Sequence, residues 1–118
     1  MEELKTRPVK ETELTIIRFL LNHVKADLNQ FPISKLAFEY EGGKMGSINL
    51  VNEKQAEYKG DIAIAQYIDS DGIIVMITLT IDTNNSLLDL DFWKVNFEKL
   101  ITYPKPVDLV FENFKEIK

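Results

Sequence analysis

Cysteine is absent from the 118 residues. That one absence removes disulfide scaffolds, thiolate zinc sites, iron–sulfur clusters and cysteine nucleophiles together. A chain this long buries roughly two thirds of its unfolded surface, so its core needs no such staple. The lack of thiols suits a reducing cytoplasm, the expected location. Long apolar runs are also missing. The longest are Ile73–Ile77 and Ile16–Leu21, the latter broken by Arg18. Both fall far short of the ~20 residues that span a bilayer, so no membrane partner is expected. The opening MEELKTRPVKETE has no apolar segment and does not read as a secretory signal. Positive charge is in deficit, with 14 Lys and Arg against 19 Asp and Glu and a formal charge of −5. Phosphate binding needs clustered cations, so nucleic acid is disfavoured, whereas a basic protein partner is compatible. There is one histidine, His23. A general base needs a group to orient it or to act on. The nearest is Asp27 at i+4, which reads as a local surface pair.

What is present reads as a single α+β domain over residues 1–118. Residues 1–10 are polar and read as a tail. A long helix is predicted over 12–29, with Thr12 as N-cap and Glu13 at the positive end of the helix dipole. Leu14, Ile17, Leu21, Val24 and Leu28 recur at steps of three and four, widened by Ile16 and Leu20 into one apolar face. Asn29 and Pro32 supply the stop.

After Pro32 the period changes to two. Leu36, Phe38 and Tyr40 alternate with Ala37, Glu39 and Glu41. Gly42-Gly43 suits a hairpin turn. A strand follows through Met45 to Leu50, then a polar loop over Asn52–Gly60. Ile62, Ile64, Gln66 and Ile68 alternate with Ala63, Ala65, Tyr67 and Asp69. Asp69-Ser70-Asp71-Gly72 and Asp82-Thr83-Asn84-Asn85-Ser86 are turn signals on either side of the apolar strand Ile73–Ile81. LLDLDFWKVNFEK then forms the return strand. The expectation is a mostly antiparallel meander of about five strands over 36–95, with the helix on one face. Pro104 and Pro106 open a C-terminal segment over 104–118. There Val107, Val110, Phe111, Phe114 and Ile117 fit a short helix, and Val107, Leu109 and Phe111 fit a strand.

Few residues carry recognisable chemistry. The stretch Glu41-Gly42-Gly43-Lys44-Met45-Gly46-Ser47 is glycine-rich but is no phosphate loop. Lys44 precedes Met45 where that motif needs Ser or Thr, and a strand follows where it needs a helix. Gly46 reads instead as a bulge or a close backbone approach. Asp89 and Asp91, at i and i+2, share one face of a strand. Paired carboxylates can hold a divalent cation or divide acid and base roles. Asp69, Asp71 and Asp82 in nearby turns would have to complete such a shell. A solvated acidic face is the simpler reading. By alternation Trp93 joins Asp89 and Asp91, opposite Leu88, Leu90 and Phe92. It is then either a contact surface among acids or a cover beneath the C-terminal segment.

Met45-Gly46-Ser47, Asp71-Gly72 and Leu90-Asp91-Phe92-Trp93-Lys94-Val95, with Phe97 following and Thr12 opening the helix, together resemble a family of small bacterial proteins known only as a domain of unknown function. The resemblance runs from Thr12 to Pro104, and Asn96 and Glu98-Lys99 depart from the pattern. It implies no activity. By class analogy, proteins of this size and charge also resemble immunity proteins that neutralise a basic toxin by occlusion.

The expectation is therefore a non-enzymatic protein-binding module for a basic partner, with Asp69, Asp71, Asp89, Asp91 and Trp93 as contact residues and no cofactor. The alternative is a small metal-dependent enzyme using Asp89 and Asp91. The exposed edge of the meander leaves pairing with a second copy open.

Overall fold

The computed structural model describes residues 5–27, 29–40, 44–52 and 56–111. Its elements are β1 (Thr6–Pro8), α1 (Glu11–His23), β2 (Leu36–Glu39), β3 (Ile48–Leu50), β4 (Tyr58–Ile68), β5 (Ile74–Asp82) and β6 (Leu87–Lys94), followed by a 3₁₀ turn at Pro106–Asp108. The strands form one six-stranded sheet in the order β1-β2-β3-β6-β5-β4, antiparallel at every step. The α+β class holds, with three corrections. Among the described residues there are six strands, not about five. The sheet is two three-stranded halves, β1-β2-β3 with α1 between its first two strands and the meander β4-β5-β6, joined through β3 and β6, not one continuous meander. The helix is 13 residues, not a long one over 12–29.

The tail is where the sixth strand comes from. Thr6, Arg7 and Pro8 pair with Phe38, Ala37 and Leu36. Three residues ending in proline show no alternation, and what holds them is a long-range ion network. The Arg7 guanidinium donates to Glu13 at 2.7 and 3.0 Å and to Glu39 at 2.7 Å, tying β1 to α1 and β2. Glu13 is buried and also accepts from the Lys10 backbone N–H at 2.8 Å. Lys10, not Thr12, thus stands at the N-cap, and the reach-back from Glu13 satisfies one of the free first-turn donors.

The helix stops early because Lys25 takes a left-handed conformation (φ 60°). Lys25 N–H donates to Asn22 O and Ala26 N–H to Leu21 O, the paired bonds of a Schellman cap. Glycine usually marks that position; a lysine gives no such signal. Leu28 lies outside the described residues, as does the Gly42-Gly43 turn.

Ile16, Ile17, Leu20 and Leu21 of α1 are fully buried against one face of the sheet, where Ala37, Ile48, Leu50, Val75, Ile77, Leu79, Leu90 and Phe92 complete the core. On β4 the core face is the small one, Ala63, Ala65 and Tyr67, and Ile68 points outward at 67% exposure. Two alanines let the helix approach the sheet closely, which bulkier isoleucines would prevent. His23 stacks on Phe111 with ring centroids 3.4 Å apart.

After Leu100 the chain returns across the core side. Tyr67 Oη donates to Thr102 O at 2.6 Å, and Leu109 is buried. Val110 exchanges backbone hydrogen bonds with Gln66 on the β4 edge, so residues 107–111 form neither the helix nor a full strand. Phe114 and Ile117 lie outside the described residues. Among the described residues, no helix is long and apolar enough to cross a membrane.

Candidate functional site

The sheet face opposite α1 carries the outward residues of β6. Its register sets Asp91 across from Thr78 and Trp93 across from Met76, while Phe92 and Lys94 turn to the buried side. The alternation breaks at one point. Leu79 pairs with Leu90 and Ile81 with Leu87, so Leu88 and Asp89 together oppose Thr80 in a bulge. The Thr80 hydroxyl takes the place of a ladder partner and accepts from Asp89 N–H at 3.0 Å. Leu88, which alternation sets on one face with Leu90 and Phe92, is consequently half-buried at the bulge, and Leu87 fills the core instead.

Both carboxylates are oriented by neutral donors from distant elements. Asp89 Oδ1 accepts from Tyr40 Oη at 2.7 Å and from Asn49 Nδ2 at 3.0 Å. Asp91 Oδ1 accepts from Ser47 Oγ at 2.8 Å. Ser47 is buried, and its oxygen also accepts from Phe92 N–H at 2.7 Å. It thereby continues the pairing of β3 with β6 beyond the backbone register. Burial, reinforced by the bond to Asp89, raises the pKa of the Tyr40 phenol well above its ordinary value, so it stays a donor.

Trp93 is 47% exposed. Beyond it Val95–Phe97 turn the chain, closed by Phe97 N–H donating to Lys94 O at 2.8 Å. Phe97 sits left-handed (φ 65°) and is 68% exposed. A bulky residue seldom holds that conformation, which costs roughly 1–2 kcal/mol. Its ring lies 6.0 Å from the Trp93 ring, tilted by 53°. Tyr40, Lys44, Met45, Ser47, Asp89, Asp91, Phe92, Trp93 and Phe97 line a groove of about 660 Å³.

Asp69 and Asp71 stand elsewhere. Lys94 is fully buried, and its ammonium donates to Asp69 Oδ2 at 2.9 Å, Asp71 Oδ2 at 2.7 Å and Lys99 O at 3.2 Å. Asp69 is itself buried and accepts backbone N–H bonds from Ser70, Ile101 and Thr102. Burial alone would raise the Asp69 carboxyl, but the backbone donors and Lys94 outweigh it and hold the pKa down at about 2. The Lys94 bond likewise lowers Asp71. Burial disfavours the Lys94 charge, but its two carboxylate partners more than restore it, and the ammonium is raised above its ordinary range. This triad anchors residues 95–102 beneath the end of the sheet, and Asp69 is spent on it.

Of the residues singled out in sequence, the structure therefore brings Asp89, Asp91 and Trp93 to one groove and removes Asp69 and Asp71 to the ion cluster around Lys94. Tyr40, Ser47 and Phe97 complete the groove, and Asn49 orients Asp89, without having been singled out. Ser47 and Phe97 did stand in the stretches carrying the family resemblance; Tyr40 and Asn49 gave no signal beyond strand alternation. No cluster of three or more His, Asp or Glu side chains able to hold a metal occurs among the described residues.

Residues 6–104 match a protein-family model whose description is Domain of unknown function (DUF6984). No curated protein and no solved structure matches the chain.

Proposed function

The chain belongs to the DUF6984 family, and from that premise we propose that it is a non-enzymatic binding module, working in the cytoplasm, whose open sheet face engages a basic protein. The observation that carries this reading is the pair Trp93 and Phe97, 47% and 68% exposed at the mouth of the groove beside Asp89 and Asp91. Two aromatic rings next to solvated carboxylates have the composition of an interface centre, where a tryptophan commonly contributes about 2 kcal/mol or more. Phe97 adds a second argument. Its left-handed backbone is a folding cost at a site with little burial to offset it, as residues kept for contact often are. Ile68, Ile74 and Val95, all exposed, extend the apolar area along the same end of the sheet. The net charge of −5 favours encounter with a cationic surface. Blocking such a partner by occlusion, as immunity proteins do, requires this face and no chemistry.

The test is affinity capture from the native host with the unmodified protein, Trp93→Ala and Asp91→Lys. A partner retained by the first and lost by both variants is the expected result. Recovery of the same partner by both variants would remove this face from consideration.

A further inference from the structure

We propose that the groove between β3 and β6 seats an arginine side chain of the partner, its guanidinium held by Asp89 and Asp91 and stacked on Trp93. This rests on the binding reading above and names the group that the face recognises.

Three features of the groove converge on a planar cation. The first is spacing. Asp89 and Asp91 lie on one face of a strand, two residues and thus about 7 Å apart, and Trp93 continues the same row. A side chain laid along the row meets carboxylate, carboxylate and indole in turn.

The second is charge without a counter-charge. The ion pairs among the described residues are those of Arg7 with Glu13 and Glu39, and of Lys94 with Asp69 and Asp71. None lies in the groove. Asp89 and Asp91 are instead held by Tyr40, Asn49 and Ser47, neutral donors that fix each Oδ1 and cancel no charge. Lys44 lines the rim but makes no ion pair with either acid among the described residues. Among the described residues the site is thus negative and oriented, with no ion pair for a cation from outside to displace.

The third is the aromatic wall. Trp93 and Phe97, in contact with each other, border the space above the acids, and Tyr40 borders it from the β2 end. A guanidinium is planar, weakly hydrated and able to stack on an indole while its edge donates to carboxylates. An ammonium is compact and strongly hydrated and uses only the carboxylates. A hard metal ion would need six or more oxygen ligands and makes no use of the rings.

Trp93 is the only tryptophan, so its fluorescence reports this groove alone. The full chain is titrated with the capped tetrapeptide Gly-Arg-Arg-Gly and with its Lys and Gln counterparts. The expected result is a saturable change in emission with the arginine peptide, roughly tenfold weaker binding of the lysine peptide and none of the glutamine peptide. The double variant Asp89→Asn, Asp91→Asn keeps the groove's shape and should weaken the arginine peptide by about tenfold or more. Because Asp89 is part of the β-bulge, Asp91→Asn alone is measured as well, with the shift of the Trp93 indole N–H in an NMR spectrum as a second readout. A response shared by the glutamine peptide, equal binding of the lysine peptide, or undiminished binding by both Asp variants overturns the proposal. If the peptides fail while a captured partner is still lost on Trp93→Ala, the guanidinium assignment falls and the binding face stands. If neither depends on Trp93, both fall.

Discussion

Ser47→Ala removes a single oxygen that serves two strands, and its cost can be worked from the contacts. In the native protein that oxygen accepts from Phe92 N–H at 2.7 Å inside the sheet and donates to Asp91 Oδ1 at 2.8 Å at its surface. Loss of the second bond is nearly neutral, because Asp91 is exposed and water replaces the hydroxyl. Loss of the first is not. Position 47 is buried, and the alanine methyl leaves the Phe92 amide without an acceptor. An unsatisfied buried donor costs about 1–3 kcal/mol. Unfolding entropy for 118 residues is on the order of 0.25 kcal/mol/K, so the loss corresponds to a fall in Tm of about 4–12 °C. Thermal and urea unfolding followed by far-ultraviolet circular dichroism would measure it, with the urea slope unchanged because the surface exposed is the same. Thr15→Ala is the control. Its hydroxyl donates to a backbone carbonyl, Glu11 O at 2.9 Å, but it is exposed, and the change should stay within about 0.5 kcal/mol. A Ser47→Ala Tm within about 1 °C of the native value would refute the claim that this hydroxyl closes the β3–β6 pairing.

Gly46→Ala should lower stability by about 1–2 kcal/mol, because φ there is +95° and a methyl would come within 3.1 Å of Leu100 Cδ2 and 3.5 Å of Phe92 Cγ; an unchanged urea midpoint would count against it. The Asp69 carboxyl, held at about 2 against an ordinary 3.8, is depressed in the folded state, so its contribution is fully present above pH 4 or so and is lost as pH falls toward about 2. Thermal unfolding across that range should show a decline that Asp69→Asn lacks, and parallel profiles for the two proteins would contradict the assignment.

Local patterning made much of this legible. The switch from a 3.6-residue to a two-residue period after Pro32 identified one helix and an antiparallel sheet, and alternation put Asp91 and Trp93 on the same face. What escaped depends on contacts distant in sequence. Thr6–Pro8 become a strand through Arg7 and its partners Glu13 and Glu39. The pairing of β3 with β6 crosses an entire meander. Tyr40, Ser47 and Asn49 reach their acids across 49, 44 and 40 residues. Asp69 resembled a turn acid because its partner, Lys94, is an apparent surface residue by type; only the fold shows that the lysine is fully buried. Alternation sets Leu88 beside Leu90 and Phe92, and a bulge has no signature in an alternating run.

The sheet consists of two units, β1-β2-β3 and β4-β5-β6, and the line where they meet has a thermodynamic meaning of its own. The backbone pairs Ile48 with Leu90 and Asn49 with Asp89 along that line, and side chains extend it at both ends, Ser47 to Phe92 N–H and Asn49 and Asn52 to the Leu88 and Leu87 carbonyls. A junction with two backbone pairs, held otherwise by side chains, is a natural boundary for sub-global opening, in which one unit separates while the other keeps its hydrogen bonds. The groove straddles the boundary: Tyr40 and Ser47 belong to one unit, Asp91 and Trp93 to the other. Any occupant that touches both lips binds the closed state and not the parted one. At a hundredfold excess over its Kd it suppresses opening by about 2.7 kcal/mol. Slowed amide exchange at Leu90 and Phe92 would then register occupancy from inside the sheet, at residues whose side chains face the core.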